Sequence, residues 1–413
     1  MKTTLLSFLF FCSFYLISAG QEVAQWLGPN RNSNYPDKNL LRQWPEGGPE
    51  MLWKFEGLGA GMGSPVVAGN KVFVTGIPDT IAGMGKLVVL DLKGKLLWTK
   101  DYGTDFTAIF AGARSTPTVV GDLVYLESGN GVVYCLNADS GKQVWSVDFF
   151  KDFQADSVQF GFSESLLVDG DRLYCTPGGK TNNLVALNRF TGEKIWASTG
   201  SGEQATYTSP TVFNHNGNRI IVNLTASSII GINADNGELL WHFFQFQDNK
   251  IHANTPVYDN GRVLLSSTSR KDSSGLVMLQ LSPNGRQAKV LWRNKEIINL
   301  IGGYILKDSC IFMSTYMGPK WYCIEQNTGK IKYISKELGG GIVISADGLF
   351  YCYTERNGEM ALVEATPEKF NVISRFKVPF GTAEHWAHPV ISQGKLFIRH
   401  GESLMVYNIS TEK

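Results

Sequence analysis

The apolar positions of this chain fall into short runs, and none keeps the three-to-four spacing of an amphipathic helix. Runs such as LVYLES, GVVYCLN and KLFIRH are β-branched and aromatic, with Gly, Asp and Asn turns between them. That pattern is a hairpin signal. It predicts an all-β chain of short strands joined by tight turns.

The runs also repeat. A turn ending in glycine, then two or three residues, then an aromatic closing an apolar strand recurs as LKGKLLW to Trp98, ADSGKQVW to Trp145, RFTGEKIW to Trp196 and ADNGELLW to Trp241. Weaker copies end at Trp292 and Tyr333, a degenerate one ends at Phe376, and an orphan LWKFEGL surrounds Trp53. The aromatic-to-aromatic step runs from about 41 to 51 residues, the length of a four-stranded propeller blade. A period near 45 is too short for a string of sandwich domains of about 100 residues each.

The C-terminal unit HPVISQGKLFIRHGESLMVYNIS supplies three strands and lacks its fourth, whereas the strand around Trp53 lacks the other three. Pairing the two closes a ring and removes both free edges. The expected fold is an eight-bladed β-propeller of four-stranded antiparallel blades over residues 50–413. Seven blades is the alternative count, because the sixth and seventh units are degenerate.

Ahead of the repeats, Met1-Lys2, an apolar run from Leu5 to Ile17 and the small residues Ser18, Ala19 and Gly20 follow the order of a secretory signal peptide. Residues 1–20 are read as that signal, cleaved after Gly20, and residues 21–49 as a lead-in. The apolar run is too short to span a bilayer, and no later stretch reaches that length. A periplasmic or secreted protein with no transmembrane segment is expected, and a monomer. The 38 basic and 37 acidic residues give a net charge of +1, which leaves no basic excess for a nucleic-acid partner. Five cysteines beyond the signal (Cys135, Cys175, Cys310, Cys323 and Cys352) sit in strand-like contexts. They read as small buried hydrophobes, with one disulfide as the alternative.

The repeated phrase resembles the pyrroloquinoline-quinone-like (PQQ-like) propeller repeat, whose glycine turn and tryptophan dock each blade on its neighbour. The segment QWLGPNRNSNYPDKNLLRQWPEGGPEMLWKFEGLG is similar to the lead-in of exported bacterial members of that group. Two function classes follow from the resemblance. One is a binding or assembly module, similar to the propeller subunit of the outer-membrane barrel-assembly machinery, for an extended peptide, an outer-membrane protein or a glycan. The absent lipid-attachment cysteine departs from that subunit. The other is a sugar or polyol oxidoreductase, or another carbohydrate-active enzyme. Quinone-using members hold PQQ with calcium beneath an adjacent-cysteine disulfide. This chain has no Cys-Cys pair, so no cofactor is the expectation.

The turns joining first to second and third to fourth strands are uniformly short, while the blade crossings and the loops between strands two and three vary. Function sits on variable loops held by a rigid scaffold, so the site is expected on the crossing face. The crossings supply Arg114, Glu164, Tyr207, His252, Glu384, His385, Trp386 and His388. The middle loops add Lys180, Asn182, Arg270, Lys271, Tyr316, Lys320, Glu355, Arg356 and His400. Arg114, Tyr207, His252, Glu384, Trp386 and His388 are the candidate ligand-binding residues, with Trp386 and Tyr207 stacking on a sugar face and Arg114 pairing a carboxylate. His252, His385, His388 and Glu164 are the candidate acids and bases. His385 and His388 are three apart and point to opposite sides of an extended strand, so no metal pair is expected. Mutual hydrogen-bond reach among Arg114, Tyr207, His252 and His388 would favour the enzyme. A filled channel with exposed apolar side chains on the blade rims would favour the binder.

Overall fold

The computed structural model describes residues 23–246, 250–267, 269, 272–316 and 318–412. The expected signal peptide, Arg270 and Lys271 lie outside the described residues. Seven blades follow one another through residues 66–104, 118–148, 167–198, 211–244, 257–294, 305–335 and 341–377. The eighth is composite: Val390–Ser392, Lys395–His400 and Ser403–Asn408 take Met51–Phe55 as their outermost strand. Trp53 pairs with Val406 and Phe55 with Leu404. The eight-blade count and the ring closure are therefore those the repeat predicts.

Sheet packing explains why the runs look as they do. The second strand of a blade lies between two neighbouring sheets, so Leu123–Glu127 is buried at every position. The outermost strand faces solvent on one side, and Gln143–Asp148 keeps Trp145 buried between two exposed neighbours. Among the described residues, no helix is long and apolar enough to cross a membrane.

The blades are hooked together by the repeated phrase. The ring of Trp145 lies where a Cβ on Gly192 of the following blade would come within 2.9 Å of it, and its Nε1–H donates to the Arg189 carbonyl at 3.0 Å. The same docking joins Trp53 to Gly94, Trp98 to Gly141, Trp196 to Gly237 and Trp292 to Gly329. Trp241 donates to the Gly285 carbonyl and Tyr333 to those of Thr366 and Lys369. Phe376 of the seventh blade docks on Gly48. The orphan phrase therefore owns a hook glycine, inside the lead-in. Burying one such ring removes roughly 200 Å² from water, worth on the order of 5 kcal/mol before entropy is counted.

The lead-in fills the channel. Val23–Ala24 adds antiparallel to the innermost strand of the second blade, with Val23 opposite Val120 and Ala24 opposite Val119. The chain turns over at residues 26–33, then Asn34–Tyr35 runs parallel to the innermost strand of the seventh blade. From there it passes to the short-turn face, where the Leu40 amide donates to Asp347 and Leu41 to the Ile409 carbonyl. Arg31, buried in the turnover, donates to the carbonyls of Ser165 and Leu166 at 2.8 and 3.2 Å. No period or alternation in residues 21–49 signals this path.

The hook predicts a contrast between two glycines. Gly192 has φ +77° with Trp145 against it, whereas Gly170 has φ +59° with open space around it. Gly192→Ala should lower stability by about 2–4 kcal/mol, combining left-handed strain with overpacking, and Gly170→Ala by about 1 kcal/mol. Thermal unfolding compares them. Equal losses would mean that the hook adds nothing beyond backbone strain.

Candidate functional site

The crossing face opens into a cup of about 460 Å³ on the propeller axis. Trp26, at the top of the lead-in turnover, lies in its floor, with its Nε1–H donating to Thr255 at 3.0 Å and its ring edge-on to His388 at 4.4 Å. Behind Trp26 and His388 a cavity of only about 10 Å³ remains, so the cup is blind there. Its wall carries a chain of rings: Trp386 to Phe110 at 5.3 Å, Phe110 to Phe160 at 6.3 Å and Phe160 to Tyr207 at 5.8 Å. Met62, Ile251, Leu300, Ile301 and Tyr316 complete an apolar surface, broken by Ser163, Ser165 and Ser209.

Four of the expected ligand-binding residues, Arg114, Tyr207, Trp386 and His388, line this cup. Their hydrogen bonds run into the scaffold and not to one another. Arg114 donates through Nη2 to the carbonyls of Ile109 and Phe110 at 2.6 and 2.7 Å, bracing the loop that carries Phe110. Burial lowers its pKa, opposed by Asp105, Tyr207 and Glu384. The Tyr207 hydroxyl accepts from the Phe160 amide at 3.2 Å. His388 is buried, and its Nε2 lies 2.8 Å from the Ile301 carbonyl, which makes Nε2–H the donor.

The other candidates lie off the cup. Ile251 and Ala253, on either side of His252, line the cup, and His252 is buried away from it. His252 is 1% exposed and neither ring nitrogen has a hydrogen-bond partner. Burial holds it neutral, with its pKa pushed down to about 3 against a smaller pull from the Gln245 backbone. His388 is held down to about 4 by burial, and His385 to about 4 by burial, His400 and Lys377. Histidines this far below neutrality are weak bases. His385 faces Tyr353 and His400, and Glu384 lies half-buried near Arg114.

Glu164 is buried under the lead-in turnover. Its amide donates to Glu127 at 3.1 Å, and one oxygen of each carboxylate has no partner. Burial pushes Glu164 up to about 8 against the Thr176 hydrogen bond and the Arg31 charge, and burial with the Glu164 charge raises Glu127 well above its ordinary range.

Trp26, Phe110 and Phe160 are the cup aromatics that sequence reasoning missed. The signal available for the two phenylalanines was their position in variable crossings. For Trp26 the pattern carried none, because its placement depends on the lead-in path.

A quinone–calcium centre needs converging oxygen donors and a capped slot for a flat ring. Among the described residues, no three His, Cys, Asp or Glu side chains come together in a way that could hold a metal ion. The five described cysteines are free and buried, each in its own strand, so no adjacent-cysteine disulfide among them caps the cup. The described residues do not fit that group.

The fold and the cup define an eight-bladed propeller of PQQ-like repeats with one blind apolar site on its axis. The family model described as outer membrane protein assembly factor BamB matches residues 83–335, more than half of the chain, and the chain belongs to that family. A tetrathionate hydrolase of Acidithiobacillus ferrooxidans is 23% identical over 243 residues, covering 56% of this chain and 40% of that one. A BamB of Kangiella koreensis is 28% identical over 142 residues, covering 33% of this chain and 32% of that one. The chain thus spans less than half the length of either curated relative. The solved quinohemoprotein alcohol dehydrogenase ADHIIG of Pseudomonas putida HK5 is similar with a TM-score of 0.63 at 12% identity, over 93% of this chain and 79% of that one. That likeness is one of fold alone.

The buried carboxyls set a pH dependence. Groups whose folded pKa is raised contribute stability that is lost as pH rises through that value. Between about pH 6.5 and 9, above the range in which the lowered pKa values of His252, His385 and His388 act, the melting temperature should fall for the parent chain and stay flatter for Glu164→Gln. Parallel curves would remove Glu164 as the cause.

Proposed function

We propose that the chain is an exported binding module of an assembly machinery, and that its cup receives apolar side chains of an extended, unfolded outer-membrane polypeptide. The observation that carries this reading is the aromatic and aliphatic wall of a blind cup, on which the Arg114 Nη2 and His388 Nε2 donors are turned away to backbone carbonyls. Rigid aromatic anchors in a desolvated pocket are where binding energy concentrates. A glycan needs free donors and acceptors beside the ring faces. Here the Arg114 Nη2 and His388 Nε2 groups are committed to backbone carbonyls.

The channel is filled by the lead-in, and the blade rims expose Leu52, Leu96, Leu97, Val144 and Ile195. Both features go with a binder. Acid–base chemistry has less support, because His252, His385 and His388 are held neutral and, among the described residues, their rings share no hydrogen bond with the side chains of Arg114 or Tyr207. Membership of the BamB family supports the assembly role, and the signal-like N-terminus supports export.

Calorimetric titration tests the reading with a peptide of about ten residues that alternates Phe or Tyr with Thr, against a neutral oligosaccharide. Trp386→Ala and Phe160→Ala should each weaken peptide binding about tenfold, which is ~1.4 kcal/mol. Saturable binding of the oligosaccharide with none of the peptide would overturn it.

A further inference from the structure

The segment that carries Trp386 into the cup wall is pinned by two histidines. His400 ends the strand Lys395–His400 and is buried, with Nδ1 2.8 Å from the Phe380 carbonyl and Nε2 2.9 Å from the Ala383 carbonyl. A neutral imidazole has one N–H, so it satisfies one carbonyl and turns a lone pair on the other. The imidazolium donates to both. His385 stacks on His400 with centroids 3.9 Å apart and planes at 23°, and its Nδ1 lies 2.6 Å from the Tyr353 hydroxyl. Between the two contacts the backbone is bent, with Gly381 at φ +93° and Ala383 at φ +71°. A left-handed alanine persists only where its surroundings over-determine it.

We propose that His400 and His385 are positioning residues forming a proton-set clasp, in which His400 protonated on both nitrogens ties Phe380 and Ala383 and so holds Trp386 in the cup wall. The inference rests on the reading of the cup as the ligand site.

The charges around the clasp define its range. Lys377 comes from the strand Phe370–Lys377, and Lys54 of the composite blade stands 3.8 Å over the Phe380 ring while pairing with Glu56. Arg399 is turned to the carbonyls of Gly63 and Gly401. Glu402 accepts from Thr382, and Glu384 leans on Arg114. Tyr353 stays neutral, its pKa raised by burial. His385 is held down to about 4 by burial, His400 and Lys377, so its ring is neutral near neutral pH. Further acid then places a second cation on the stack. The clasp is seated when His400 donates through both ring nitrogens and His385 beside it is neutral.

Ring ¹⁵N spectra of the full chain, recorded between about pH 4 and 8.5, test this directly, alongside titration with the Phe/Tyr–Thr peptide. Both His400 nitrogens should carry protons where affinity peaks, with one proton on His385, and affinity should fall about tenfold toward either end. His400→Gln should remove the alkaline limb, and His385→Phe, which keeps the stack, should remove the acid limb. A single ring proton on His400 across the whole range, or an affinity unchanged by pH, would overturn the clasp. If the peptide does not bind at all, the ligand reading fails and the ring spectra of the parent chain still decide the clasp. They decide it equally if a variant does not fold.

Discussion

Every blade of this propeller depends on one contact, an aromatic ring laid against a turn of the next blade. At five junctions that turn presents a left-handed glycine whose missing Cβ leaves room for a tryptophan. The contact is local in sequence on neither side, because ring and turn lie roughly one blade apart, so it fixes the angle between sheets and not the shape of any sheet. Where the phrase degenerates the partner changes: backbone carbonyls receive Tyr333, and a left-handed glycine of the lead-in, Gly48, receives Phe376. The ring therefore closes twice at the same place, through the strand pairing of Met51–Phe55 and through hooks on both sides of it.

A rigid ring leaves an axial channel, and the lead-in decides what that channel becomes. By adding to the innermost strands of the second and seventh blades it uses backbone pairing that the ring alone would leave open. Its turnover sets Trp26 as a floor, which converts a pore into a cup. The price is a buried Arg31 and two buried carboxyls, Glu127 and Glu164, beneath it. The polar residues near the axis thus serve mainly to seat the plug and the loops, and the surface left for a ligand is aromatic and aliphatic.

The architecture was legible in the sequence because it is periodic. Seven phrase copies and an orphan located every blade, and the missing strands at the two ends predicted the composite blade. The site was legible only in part. Arg114, Tyr207, Trp386 and His388 were found because unusual residues in variable crossings converge on the axis. His252 was misplaced because the irregular crossing turns its neighbours Ile251 and Ala253, and not its ring, to the cup. Phe110 and Phe160 look in sequence like packing residues. Their role emerges only when Arg114 braces one loop and Tyr207 the other. A search for reactive side chains weights histidine and arginine, and so misses a site whose working surface is hydrocarbon.

The central claim is that the cup, and not a blade rim or the short-turn face, holds an unfolded outer-membrane polypeptide. Photo-crosslinking in living cells tests it most directly, with a benzophenone side chain placed at Phe160 in the cup wall, at Val144 on a blade rim or at Phe190 on a short turn. The account predicts adducts with unfolded outer-membrane proteins from position 160 and few from 144 or 190. Adducts concentrated at 144 or 190, with none at 160, would contradict it.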